Sequence, residues 1–406
     1  MTNLQQGWEV KKLGDIAEIQ IGKTPSRNNI DFFQGENIWL SIRDLKSKFV
    51  SSSSEKISNE AISKTNMKVV PKGTLLMSFK LTLGKTAFTE CDLYTNEAIA
   101  AIFIKNKNIN KYFLDYVLKF TDLEKYVDNA VKGKTLNKQK LKQIEIPLPP
   151  LKEQERIVGI LDESFAKIDE SIKILEQDLL NLDELMQSAL QKAFNPLKDN
   201  AKENYKLPQG WEWKNLGEIA NTSSGGTPSR NKKEYWENGN IKWLKSGELN
   251  DGYIDFIEEN ITEEAIKNSS AKIFQKGTLL IAMYGATAGK LGILNLDSTT
   301  NQAICAFLHK DKNIKFLEKF LFYFLFFLRD KIIKDSFGGA QPNISQTYIK
   351  NLQIPLPPLK EQEQIASHLD ELSSHVKNLK QNYQAQIKDL QELKKSLLDK
   401  AFKGNL

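Results

Sequence analysis

Residues 146–157 read IPLPPLKEQERI, and residues 354–365 read IPLPPLKEQEQI. Eleven of the twelve positions match, and the second stretch starts 208 positions after the first. Pro147, Pro149 and Pro150 lack a backbone donor and hold φ fixed. The segment is therefore expected neither to continue a strand nor to sit inside a helix. Proline is tolerated in a first helical turn, and Glu153 and Glu155 suit the positive end of a helix. The stretch reads as a joint from which a helix departs, and the chain carries it twice. Capture by a proline-recognition module is the competing use, but the motif runs straight into helical sequence.

Working outward, the joint is the most visible part of a duplication. GWEVKKLGDIAEIQIGKTPSRN (7–28) is echoed by GWEWKNLGEIANTSSGGTPSRN (210–231). NIWLSIRDL is echoed by NIKWLKSGEL, PKGTLLMSF by QKGTLLIAM, and TNEAIAAIFI by TNQAICAFLH. KAF occurs at Lys192 and again at Lys400. The offset between copies drifts from 203 to 208 in the first part of each repeat and then stays at 208 from the joint onward. Length changes are thus confined to the part before the joint.

That part alternates short apolar runs with glycine- and asparagine-rich turns and ends in helical sequence, KYFLDYVLKFTDLEKYV and KFLEKFLFYFLFFLRDKII. Trp39 and Trp243, with Gly73 and Gly277, read as fold residues because their neighbours are apolar. After the first joint, Leu161, Phe165, Ile168, Ile172, Leu175, Leu179, Leu182, Met186, Ala189 and Ala193 recur at alternating spacings of four and three, a sustained coiled-coil seam. In the second copy the seam is Leu369, Leu372, Val376, Leu379, Tyr383, Ile387, Leu390, Leu393 and Leu397, with Lys380 and Lys394 on positions that are apolar in the first. Each rod is expected to be roughly 65 Å long. The plainer alternative is that each helix packs only on its own domain.

The 406 residues suffice for two or three domains, and 40 % apolar with 27 % charged residues is a globular profile. Two cysteines, Cys91 and Cys305, make neither a disulfide framework nor a zinc site, and they point to a reducing compartment. The N-terminal stretch has no apolar leader core, and the most apolar run, 320–328, is too short to span a bilayer. A cytoplasmic location with no membrane role is expected. The net charge of +6 divides as +7 over residues 1–150, −5 over 151–196, +3 over 197–358 and +1 over 359–406. An acidic polymer would favour the domains and avoid the first rod.

Catalytic signatures fail. Three GKT triplets, at Gly22, Gly84 and Gly133, lack the earlier glycine of a phosphate loop; Ala17, Phe79 and Asp128 stand there. No G-x-G-x-x-G follows a strand, and no G-x-S-x-G occurs. His309, His368 and His375 do not cluster at metal spacing. The chain is expected not to be an enzyme and to carry no cofactor.

The twice-used PLPPLKEQE joint, the GGTPSR segment and the domain–helix–domain–helix order resemble the specificity subunit of type I restriction–modification systems. The resemblance covers essentially the whole chain. It implies an α+β protein with two duplicated α/β target recognition domains (1–150 and 197–358). Two long antiparallel helices (151–196 and 359–406) would separate them as a coiled coil, with pseudo-two-fold symmetry. It implies double-stranded DNA as a partner, each domain reading half of a split site and the helices setting the gap. It also implies two modification subunits that carry the methyltransferase chemistry, and restriction subunits that add cleavage. The divergence between the two domains fits two different half-sites.

Polar and basic residues on the paired loops are the candidates for DNA contact. They are Ser26, Arg27, Arg43, Lys80, Lys85, Lys134 and Asn137 in the first copy. In the second they are Ser229, Arg230, Lys245, Tyr284, Lys290, Gln341 and Asn343. Arginine pairs with guanine and asparagine or glutamine with adenine, whereas lysine and serine more often hold phosphates. Arg27 and Arg230 have a structural alternative, since both copies keep TPSRN. The competing function is a coiled-coil scaffold with two ligand-binding domains and no DNA.

Overall fold

A computed structural model describes residues 6–127, 136–194, 207–310, 315–336 and 343–406. The chain divides into two compact units. One comprises Met1–Leu175 with Ala385–Leu406, and the other Glu176–Gln384.

In the first unit a five-stranded sheet has the order Ala17–Ile21, Ile99–Ile104, Leu75–Ser78, Thr86–Thr89, Phe49–Val50, antiparallel except for the last pair. Its central strands are buried on both faces, which is why they read as continuous apolar runs without alternation. Leu75 and Met77 face a core shared with the helix Lys111–Phe120. Leu76 faces the opposite core, with Leu40 and Ala101. A three-stranded sheet, Glu55–Ile57, Asn37–Leu40, Tyr94–Thr95, adds a smaller core around Trp39 and Phe32.

The second unit repeats this plan. Its five-stranded sheet runs Ala220–Ser224, Ile304–His309, Leu279–Ala282, Leu291–Leu294, Gly252–Ile254. Its smaller sheet gains a strand, Ile273–Phe274, where the first unit has only the bridge Val70–Leu93. The apolar run at 320–328 lies in the helix Glu318–Lys334, which is buried from Phe320 to Leu325.

The joint departs from expectation in one respect. Pro147 lies within a strand, Glu145–Leu148, paired antiparallel with Glu9–Lys12, and Pro355 repeats this opposite Trp213. A two-stranded ladder consists only of edges, so a proline whose missing donor would face outward is tolerated there. The helices then begin at Leu151 and Leu359, where the carbonyls of Pro150 and Pro358 accept the first helical N–H groups. Both helices, Leu151–Phe194 and Leu359–Phe402, have 44 residues.

A buried glutamine explains why the motif is so nearly invariant. The Gln154 amide donates to the carbonyls of Pro149 (2.8 Å) and Asn108 (3.1 Å) and accepts from the Asn110 N–H (2.8 Å). Gln362 does the same with Pro357 (2.9 Å), Lys315 (3.0 Å) and the Leu317 N–H (2.9 Å). One side chain thus ties the proline turn, the helix start and the loop entering the domain's own helix. About two turns further on, Tyr116 donates to Asp162 (2.6 Å) and Tyr323 to Asp370 (2.7 Å).

The far end of each helix docks elsewhere. Phe194 packs among Phe320, Phe324 and Phe327, and Phe402 against Phe113 and Phe120. The repeated KAF is therefore an anchor: each rod ends in the core of the domain that did not launch it. Within each unit the two long helices run antiparallel. In one, Asp169 pairs with Lys394 and Arg156 reaches the Leu406 carbonyl; in the other, Asp183 pairs with Lys380. The seam of the first helix is buried or half-buried throughout. In the second helix Leu379 and Leu393 stand 39 % and 45 % exposed instead, because the neighbouring Lys380 and Lys394 turn toward the aspartates.

The glutamine clamp predicts that Gln154→Leu, which keeps the volume but orphans three backbone groups, lowers unfolding stability by about 2–3 kcal/mol. Urea denaturation checks this; a midpoint equal to that of the unaltered protein would show that the amide network contributes nothing.

Candidate nucleic-acid interface

Two loop systems in each domain carry the candidate side chains, and one short segment supports both. In the first domain Thr95 accepts from the Lys23 N–H, Asn96 donates to Leu40, and Ala98 accepts from the Phe79 N–H. In the second, Thr300, Asn301 and Ala303 make the corresponding bonds to Gly226, Leu244 and Met283. The contact is close enough to require glycine: a Cβ on Gly22 or Gly225 would lie 2.0 Å from the Thr95 or Thr300 carbonyl oxygen. This is the physical reason for the repeated TN-A run and for the glycine before each TPSR.

The first loop system is a cation–carboxylate cluster on aromatic faces. The Arg27 guanidinium sits 4.3 Å from the Phe33 ring centroid and 5.2 Å from Trp39, and it donates to both oxygens of Glu55. Arg43 donates to the same carboxylate at 3.0 Å. In the second domain Arg230 lies 3.7 Å from Trp236 and 4.8 Å from Trp243, and Glu259 binds both Arg230 and Lys245 at 2.7 Å. Trp39 and Trp243 are buried and donate from the indole to the Lys23 and Gly226 carbonyls, which confirms them as fold residues.

The hydrogen bond from Arg27 holds the Glu55 carboxyl below its ordinary value, against the opposing pull of burial. Burial would raise Glu259, but hydrogen bonds from Lys245 and Arg230 outweigh it and the net direction is down. Arg27 and Arg230 are thus brought together with Arg43 and Lys245, but their guanidinium groups are already committed. Ser26 and Ser229 are exposed beside them, and their carbonyls accept from Asn29 and Lys232. Glu55, Glu259, Phe33 and Trp236 were missed. The glutamates had a signal, since EKISNEAI (55–62) is echoed by ENITEEAI (259–266).

The second loop system joins a β-hairpin to the segment ahead of a short helix. In the first domain the hairpin 79–85 carries Lys80 and Lys85, and the Leu136 N–H donates to the Phe79 carbonyl. Neither lysine has a carboxylate partner among the described residues. Asn137 caps the helix Lys138–Gln143 by accepting from the Lys140 N–H (2.9 Å), which commits its side-chain oxygen. In the second domain the hairpin carries Tyr284 and Lys290, and Tyr284 forms a backbone bridge with Asn343. Lys290 lies 3.2 Å from Asp251, which Arg329 also binds. Lys134 and Gln341 lie outside the described residues.

The surface so assembled offers half-exposed cations on rigid loops, a chemistry suited to holding phosphates and base edges rather than to making or breaking bonds. Among the described residues no group of His, Cys, Asp or Glu is placed to hold a metal, and no helix is long and apolar enough to cross a membrane. His368 and His375 are exposed on the second rod. Burial pushes the Cys305 thiol up to about 12, so it is not a ready nucleophile.

The family model described as "Type I restriction modification DNA specificity domain" matches twice, over residues 5–179 and 208–389. The chain belongs to this family. It is a type I specificity subunit with two DNA specificity domains. The MjaIX specificity subunit of Methanocaldococcus jannaschii is 26 % identical over 99 % of this chain and 94 % of its own length. The EcoR124I/EcoR124II specificity subunit of Escherichia coli is 28 % identical over 65 % of this chain and 64 % of its own. Among solved structures, a chain from a study of type I complex assembly and conformational transition superposes with a TM-score of 0.80 at 23 % identity, covering all of both chains. The HsdS subunit of Thermoanaerobacter tengcongensis gives 0.62 at 23 % identity, over 99 % of this chain and 98 % of its own. These two establish that the specificity-subunit fold is shared.

The cluster around Glu55 has a pH signature. A carboxyl lowered in the folded state adds stability above its unfolded pKa of roughly 4.3 and loses it as pH falls through the folded value. The stability difference between the unaltered protein and Glu55→Gln should therefore be about 1 kcal/mol and flat from pH 6 to 8, shrinking below about pH 4. Denaturation across that range checks it; a gap that widened toward acid would contradict the assignment.

Proposed function

We propose that this specificity subunit reads a bipartite double-stranded DNA target, one half with residues 1–150 and the other with 197–358. The helices of 151–196 and 359–406 hold the two readers at a set distance and dock two modification subunits. The observation that carries this reading is the pairing of a repeated frame with divergent loops. The glutamine clamps, tyrosine–aspartate bonds and phenylalanine anchors recur in both copies. The hairpins at 79–85 and 283–290 do not: the first has two lysines without carboxylate partners among the described residues, the second a tyrosine and a lysine tied to Asp251.

In this reading Lys80, Lys85 and the exposed sides of Arg43 and Lys245 contact DNA. Ser26, Ser229, Lys290, Tyr284 and Asn343 are further candidates at the same surfaces. Lys134 and Gln341 remain candidates by sequence, whereas Arg27, Arg230 and Asn137 serve to hold the loops. Methyl transfer and strand cleavage belong to partner subunits in the cytoplasm, and a base to be methylated would be flipped into the partner's pocket. The subunit itself contributes no catalytic group or cofactor. A DNA-free scaffold is disfavoured by the family membership.

Deleting the gene in the source strain and mapping genome methylation tests the role. Loss of one split, asymmetric adenine motif is expected; persistence of every methylated motif would overturn the proposal.

A further inference from the structure

The hairpin at 79–85 contains an anomaly that folding alone does not explain. Leu81 is 79 % exposed, the largest exposure among the large apolar residues of the described chain. It also has φ +63°, a left-handed conformation that a leucine rarely adopts. The equivalent position in the other copy, Gly285, has φ +81° and pays no such penalty. The first domain therefore places a bulky apolar side chain where the backbone favours glycine, and then leaves it in water.

The loop is held in this shape. Ser78, fully buried, binds Gly84 and Lys85 through its backbone and donates from its hydroxyl to the Thr82 carbonyl at 2.6 Å. Leu83, two residues on, is half-buried and packs against the core. The same turn thus half-buries one leucine and presents the other. Lys80 and Lys85 flank it, without carboxylate partners among the described residues.

We propose that Leu81 is a specificity-determining residue of the first half-site, making an apolar contact with DNA bases while Lys80 and Lys85 hold the adjoining phosphates. Backbone strain persists where function requires it. Leucine is one of the side chains that proteins set against thymine methyl groups or wedge between base steps. Gly285 offers no such contact, so the two domains differ at this hairpin tip. This proposal rests on the DNA-reading role proposed above.

The test uses the full chain in complex with its modification subunits and selects bound duplexes from a library randomised in both half-sites. Leu81→Gly removes the side chain and relieves the backbone, so thermal stability is expected to be equal or higher. Discrimination at one or more positions of the first half-site should fall roughly tenfold. The second half-site and the salt dependence of binding should be unchanged. Lys85→Ala, by contrast, should weaken binding to all sequences alike and flatten the salt dependence. Undiminished first half-site discrimination by Leu81→Gly would overturn the proposal. If the unaltered complex selected no half-site at all, the DNA-reading role itself would fall, a result distinguishable from failure of Leu81 alone.

Discussion

The structure depends on a glutamine amide that satisfies three backbone groups at once. Gln154 and Gln362 each lock a proline turn to a helix start and to a loop of the domain beside it. Because the amide is buried, every bond it makes is costly to lose. A long helix leaving a globular domain would otherwise pivot at its first turn. The clamp, with the aspartate–tyrosine bond behind it, ties the first turns of each helix to the domain that launches it. This constraint makes it meaningful for a domain to be carried on a rod.

The second constraint lies at the other end. Phe194 and Phe402 are buried among aromatic rings of the domain that did not launch their helix. Each long helix therefore starts in one compact unit and ends in the other. Two helices of 44 residues, antiparallel within each unit and held by Asp169–Lys394 and Asp183–Lys380, leave no latitude for length changes. That is why the sequence offset stays at 208 from the joint onward while it drifts within the domains. The helical frame is kept constant, and the loops of the two specificity domains are free to diverge.

Much of this was legible in the sequence, and the exceptions follow from physics. Duplication, helix length and the first seam are written in repeats and periodicity, which local sequence carries directly. The strand at Pro147 was not legible, because proline excludes a sheet interior but not the edge of a two-stranded ladder. The second seam was misjudged at Leu379 and Leu393, since ion pairs with the first helix, a long-range fact, turn Lys380 and Lys394 inward. At the candidate interface the repeated TPSRN pointed to a shared role for Arg27 and Arg230, but not to Glu55 and Glu259, which lie about thirty residues away. The roles of Gln154 and Gln362 were hidden because a buried amide breaks no periodicity; their identity in both copies was the available clue.

Lengthening both helices by one heptad decides whether they set the distance between two readers, as proposed. Seven residues preserve the seam and add about 10 Å, close to three base pairs of duplex. The measurement is the gap preferred by the assembled complex on a series of DNA targets that differ only in spacing. A longer preferred gap is expected, or loss of specific binding when neither phase nor distance can be met. An unchanged gap would contradict it, for the helices would then not be what holds the readers apart.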